Sequence, residues 1–444
     1  MKKSRKNGKR STDQRLIMIS LDAVGGQDLA YLCTLPNFKR LWERAAKCTH
    51  VQSVYPSITY PAHVSIVTGK KPVHHGVINN TRLQPKRPEP DWLWQRRFIK
   101  GTTLYDEALK KGWRVAALLW PVTAKSRITY NLPEIFPNRP WQNQIMVSAY
   151  NGSPVYEMDL YRRFGHMMDG IRQPALDDFV HASALYTIRH YNPEMMLVHF
   201  TDVDTNRHIY GVDHPKVMGA LDRHDKRLGE LMDALEETGD MDKTTVVILG
   251  DHYQCRTERV VYFNYLLKKA GFLKAEGDVI TDYTYISKNC DGCTYIYENP
   301  KKKATKRDFQ KLTALLEKCK ERPVCGIDRI FTGKEAGELG ADDRCVYLIE
   351  AKAPVFYLDA CHTLTEPVEE MKKGKMRAVH GYLPDKPDYE TFFMAFGYGI
   401  REGVEIPFMH LYDEGPTLAK IIGVTLPDAD GRCCDEIVLK TIPS

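Results

Sequence analysis

Residues 56–69 read PSITYPAHVSIVTG, and the rest of the chain is interpreted around them. The hydroxyls of Ser57 and Thr59 precede Pro61, which fixes its own φ and has no N–H to donate. An apolar run, 62–67, follows, and Thr68-Gly69 closes it. Proline in the first turn and glycine past the end mark a helix. A hydroxyl at such a start lies where a helix presents free N–H groups. That setting suits a nucleophile attacking a phosphate. Taken alone, the same hydroxyl is an N-cap. Acids and histidines elsewhere separate the two readings.

Working outward, residues 15–22, RLIMISLD, are a nearly continuous apolar run ending in an acid, as in a buried parallel strand. Open α/β sheets keep their ligands at strand carboxyl ends, which is where Asp22 falls. Residues 195–200, MMLVHF, are a second such strand, followed by Asp202 and Asp204. Residues 244–250, TTVVILG, are a third, followed by Asp251 and His252. Asp204 and His208 are four apart, so one helical turn puts them on the same side. Val379-His380-Gly381 sets a further histidine beside a glycine in a loop. Three Asp, three His and the Thr59 hydroxyl suffice for two zinc-type sites of mixed N/O ligation.

Further strands are expected at 51–55, 114–119, 345–350, 354–358 and 391–396, and helices at 35–46, 103–111, 177–190, 216–238, 260–270, 304–319 and 415–422. Their alternation predicts an α/β fold: a mainly parallel central sheet with helices on both faces. Residues 123–175 show little regular pattern and read as a cap insertion over a site. Residues 255–378 read as a smaller sub-region within one catalytic domain, 15–444. His63 reads as a core or supporting group, His74 and His75 as turn residues, and His181, His190 and His199 as needing no function.

The chain has 444 residues, 43% of them hydrophobic, enough for a large core. Its formal charge of +6 is carried entirely by residues 1–15, with seven basic residues against Asp13. Residues 1–14 therefore read as a disordered basic tail, and nucleic acid is not expected as a partner. No apolar stretch reaches the ~18 residues of a membrane span, and no signal-peptide pattern is expected after the tail. Eleven scattered cysteines favour a reducing, cytoplasmic setting. Cys290-x-x-Cys293 and Cys433-Cys434 are candidate zinc or redox pairs, without a second pair at zinc-ribbon spacing.

The pieces LDAVGG (21–26), PSITYPAHVSIVTG (56–69), HHGVINN (74–80), LLWPVT (118–123), DVDTNRHIYG (202–211), LGDHYQ (249–254) and VHGY (379–382) come in a distinctive order. As a set they resemble the nucleotide pyrophosphatase/phosphodiesterase branch of the alkaline phosphatase superfamily, over residues 16 to about 420. The resemblance implies an alkaline-phosphatase-like fold and two divalent metal ions, with zinc expected. It implies that Asp22, Thr59, Asp251 and His252 hold one ion, and Asp204, His208 and His380 the other. Thr59 matches the nucleophile. Asn80 matches the side chain that, with the nucleophile's backbone N–H, holds a phosphate oxygen. Tyr60 matches an aromatic that packs on a substrate's base or leaving group.

Ala62 stands where many members have Asn, Arg207 where a small residue is commoner, and Tyr253 where Gly is usual. The last two are expected to narrow or recharge the pocket rim. The implied activity is hydrolysis of a small-molecule phosphodiester or nucleotide phosphoanhydride through a phospho-threonine intermediate. A cation lowers the hydroxyl's pKa, and the reaction retains configuration at phosphorus. The alternatives are a phosphonate hydrolase resembling phosphonoacetate-cleaving enzymes, a phosphomonoesterase, and a metal-binding or phosphate-sensing protein without turnover. The oligomeric state is left open.

Overall fold

The computed structural model describes residues 14–439 apart from 88, 372, 373 and 375. The basic tail expected at 1–14 therefore lies, up to residue 13, outside the described residues. The core is an eight-stranded sheet. In chain order its strands are β1 (Arg15–Leu21), β2 (Ala46–Gln52), β3 (Val115–Leu118), β4 (Tyr130–Leu132), β5 (Met195–Phe200), β6 (Thr244–Leu249), β7 (Thr391–Gly397) and β8 (Met409–His410). Their order across the sheet is β8-β2-β7-β6-β1-β5-β3-β4. All neighbours are parallel except β7, which runs antiparallel to both β2 and β6.

Alternation along the central strands feeds two cores. Ile17 and Ile19 of β1, Val246 and Ile248 of β6, and Phe392 and Met394 of β7 join one cluster. Leu16, Met18, Val247, Leu249 and Phe393 join the other. Because both faces are covered, β1, β5 and β6 are buried at every position. That is why they read as apolar runs rather than as alternating strands. One face packs on α1 (Pro36–Arg44), α4 (Ala175–Tyr186) and α6 (Pro215–Glu237); the other packs on α2 (Thr59–Thr68), α3 (Leu104–Lys110) and α7 (Glu414–Ile421). The remaining helix used below, α5 (Asp202–Tyr210), follows β5 directly.

Expected boundaries change, and the helix expected at 260–270 runs only over Phe263–Lys269, after a strand at Arg259–Val261. The strand placed at 51–55 is β2, five residues earlier; its burial alternates with exposed Thr49 and His50, which hides it in the sequence. Residues 123–175 are not irregular: they hold β4 and two helices, Gln144–Asn151 and Pro154–Phe164. Residues 255–378 carry their own four-stranded antiparallel sheet over a separate core.

The topology gathers the chemistry at one edge. β6, β1 and β5 are adjacent and parallel, so Asp251, Asp22 and Asp204 follow three neighbouring carboxyl ends. β7 is reversed, so the chain entering it, which carries His380, arrives at that same edge. Gly250 is the pivot between β6 and Asp251. A Cβ there would lie 2.0 Å from the Val24 carbonyl oxygen and 2.1 Å from Thr391 Oγ1. Gly250→Ala is therefore expected to cost about 1–3 kcal/mol through overpacking. Urea denaturation would read this as a lower midpoint with an unchanged slope.

Candidate active site

Thr59 is the first residue of α2, with Ile58 extended at the N-cap. Its Oγ1 lies 3.2 Å from His252 Nε2. The same nitrogen stands 3.4 Å from Asp22 Oδ1 and 3.2 Å from Asp251 Oδ2. Asp251 is fixed by its other oxygen, which accepts from the N–H groups of Ala23 and His252. Beside this group, α5 carries Asp204 and His208 one turn apart, with His208 Nε2 3.3 Å from Asp204 Oδ1. His380 Nε2 is 3.9 Å from the same oxygen. The His208 Nδ1–H donates to the Ala378 carbonyl at 2.8 Å, which leaves Nε2 as the lone-pair nitrogen.

Two sets of ligand-type atoms, Asp204/His208/His380 and Asp22/Asp204/His252, each lie within 4.8 Å of one another. Asp204 belongs to both, so the sets are side by side. The donor chemistry fits divalent cations. Asp22 Oδ1 and Asp251 Oδ2 are buried and accept no hydrogen bond among the described residues, which is costly unless a cation faces them. Asn80 Oδ1 accepts from the Tyr60 N–H at 2.9 Å, which leaves its amide hydrogens for another acceptor.

The electrostatics record the same crowding. Burial, then Asp204, pushes Asp22 up to about 7. Burial and Asp22 push Asp251 well above the carboxylate range. Burial opposes ionisation of Asp204, yet His208, His380 and His252 hold it below that range. Burial likewise opposes the charge on His208, but Asp204 lifts it to about 9. Burial and the neighbouring histidines hold His252 low and His380 at about 3.

Several residues depart from expectation. Tyr60, expected to offer its ring to a substrate, is fully buried. Its hydroxyl donates to Glu134 at 3.1 Å and its ring meets the edge of Trp92. Arg207 and Tyr253 do not form a rim. Arg207 is 1% exposed, pairs with Asp28 at 2.5 Å, donates to the Ala23 carbonyl and stacks 4.5 Å over Tyr253. The two side chains form a buried clamp on the loop after β1. His63 supports the site as expected: its Nδ1–H donates to the Thr59 carbonyl and Nε2 accepts from Ser20. His75, read as a turn residue, ends a four-residue helix, Pro72–His75, and is buried against Ser65. The Cys290 thiol accepts from Asn79, and no cysteine joins either ligand set among the described residues.

His199, read as needing no function, is 3.0 Å from Asp22 Oδ2 through Nε2. Its Nδ1 faces the Leu119 carbonyl at 3.2 Å and Glu134 at 3.3 Å. Both nitrogens face acceptors, so Asp22 and Glu134 overcome burial and raise its pKa well above the usual value. A polar residue in an otherwise apolar buried strand was the available signal for it. Glu134 and Gln254, whose amide donates to Asp204, carried no such signal.

The family model for type I phosphodiesterase / nucleotide pyrophosphatase matches residues 16–343. The chain belongs to this family. Human ectonucleotide pyrophosphatase/phosphodiesterase family member 1 is 27% identical over 265 residues, 56% of this chain and 24% of that protein. A Schizosaccharomyces pombe pyrophosphatase/phosphodiesterase is 24% identical over 305 residues, 63% of this chain and 56% of its own length. Xenopus laevis bis(5'-adenosyl)-triphosphatase enpp4 is 20% identical over 421 residues, covering 94% of this chain and 79% of that protein. The chain thus spans about half of the yeast relative and about a quarter of the human one. Murine ectonucleotide pyrophosphatase/phosphodiesterase 5 shares the fold, with a TM-score of 0.67 at 17% identity over 96% of this chain and 100% of that one. No described helix is long and apolar enough to cross a membrane.

The raised pKa values of Asp22, Asp251 and His208 set a sign. Each group binds protons more readily folded than unfolded, so its stabilisation is present at low pH and lost as pH rises through the folded value. His252 and His380 are depressed and act oppositely, below their ordinary value of 6.5. Between pH 6.5 and 9 the metal-stripped protein is therefore expected to lose thermal stability. Zinc-loaded protein should show a much flatter profile, because cations replace the protons. Parallel melting profiles for the two forms would contradict the assignment.

Proposed function

We propose that the chain is a phosphodiesterase/nucleotide pyrophosphatase that cleaves phosphodiester or phosphoanhydride bonds of small substrates through Thr59. The observation that carries this is the Thr59 hydroxyl at a helix N-terminus, 3.2 Å from His252 and beside two buried carboxylate oxygens without donors. Two divalent ions, zinc by donor type, would supply charge neutralisation and a lowered pKa for the hydroxyl. Asp22, Thr59, Asp251 and His252 would hold one, and Asp204, His208 and His380 the other.

In this reading Thr59 Oγ1 attacks phosphorus, the ester or phosphate leaving group departs, and water hydrolyses the phospho-threonine. The Thr59 N–H has no backbone acceptor among the described residues, so it and the Asn80 amide are free to hold a non-bridging oxygen. Residues 123–175 contribute Glu134 beside His199, and we read them as a cap that closes the site. The relatives' names support nucleotide substrates, as does an inactive variant of murine family member 5 in complex with AMP. Eleven free thiols support a reducing, cytoplasmic setting.

Thr59→Ala is expected to lower kcat by at least ~10³-fold, the scale on which removing a nucleophile acts, while zinc content by elemental analysis stays near wild type. Wild-type turnover in that variant would sink the mechanism. Bis(p-nitrophenyl) phosphate should be cleaved faster than p-nitrophenyl phosphate. A monoester preference above about a hundredfold in kcat/KM would instead select the phosphomonoesterase reading.

A further inference from the structure

His380 Nδ1 is buried and has no hydrogen-bond partner among the described residues. Asp291 Oδ2 stands 3.5 Å from it. Asp291 lies in the three-residue connection, Cys290 to Gly292, between the paired strands Tyr285–Asn289 and Cys293–Glu298, closed by a Cys290 N–H to Cys293 carbonyl bond of 2.8 Å. Its φ is 58°, in the left-handed region that a glycine adopts without penalty. The turn is clamped to the histidine loop, and that loop to the segment before α2. The Gly292 N–H donates to the His380 carbonyl at 2.9 Å, and the Gly381 N–H donates to the Ser57 carbonyl at 2.9 Å. Gly381 has φ +86°, and a Cβ there would fall 1.7 Å from the Cys290 carbonyl oxygen. The Cys290-x-x-Cys293 pair thus serves as the frame of this turn. Asn79, the neighbour of Asn80, grips it through Cys290 Sγ at 2.9 Å.

We infer that Asp291 is a positioning residue: its carboxylate accepts the His380 Nδ1–H, sets the tautomer, and aims Nε2 at the space beside Asp204. The inference rests on the metal-dependent reading above. A histidine that gives one nitrogen to a cation directs its other N–H to a carboxylate or carbonyl. His208 satisfies that rule with the Ala378 carbonyl. His380 satisfies it with Asp291. The turn keeps an aspartate at a left-handed position because the carboxylate is what the neighbouring loop uses.

Asp291→Gly removes the carboxylate while favouring the same backbone. Zinc titration of the full chain against a chromophoric chelator should then show one of two sites weakened by about 10–100-fold, the range for losing such a partner. The metal-free variant should melt at or above the wild-type temperature, and kcat should fall with KM little changed. Asp291→Asn keeps an acceptor oxygen and should restore most of the affinity. Wild-type zinc affinity at both sites of Asp291→Gly would overturn the inference and leave the phosphodiesterase reading standing. An active Thr59→Ala protein would sink that reading and leave the zinc result for Asp291 intact.

Discussion

Three carboxylates, buried Asp22 and Asp251 and half-buried Asp204, stand together at the ends of adjacent parallel strands. Their mutual repulsion is the constraint to which the surrounding structure answers. An unpaired buried carboxylate costs several kcal/mol. The molecule meets part of that cost with fixed positive groups and leaves specific oxygens bare. His199 takes one oxygen of Asp22, and backbone N–H groups take one oxygen of Asp251. The opposite oxygens of both have no donor. That division, one oxygen tethered and one free, is what makes the cluster a receptacle rather than a fault.

The tether extends outward. Ala23, directly after Asp22, has φ 60°, an uncommon state for a residue with a Cβ. Arg207 and Asp251 bind its carbonyl and N–H respectively, so strain at the strand end is held by the residues that complete the site. Arg207 is itself buried with Asp28 and Tyr253. The arginine and the tyrosine form one unit.

Much of this was legible in the sequence where the information is local. The strands preceding Asp22, Asp204 and Asp251 are apolar because both sheet faces are covered. The Asp204–His208 pair follows from helix period alone. Asn80 came only from a family resemblance, since it sits in no periodic segment, whereas His380 stands out as a histidine beside a glycine in a loop. What the chain order could not convey is side-chain direction over long separations. His199 and Asp22 are 177 residues apart, and nothing in MMLVHF says which neighbour the imidazole meets. Tyr60 was misread for the same reason: adjacency to Thr59 does not show that its ring turns into the Trp92 cluster. β2 was displaced because a half-exposed strand with lysine, threonine and histidine lacks the apolar run that marked its neighbours.

The reversed strand β7 has a consequence for biosynthesis. Among the described residues β2 pairs with β7, with β8 and, at Lys47, with Glu405, all more than 300 residues later in the chain. At roughly 5–20 residues per second on a ribosome, the nascent polypeptide carries that open edge for tens of seconds. An unpaired edge of this kind is a template for pairing with other chains, so the interval before β7 emerges is the aggregation-exposed stage of folding.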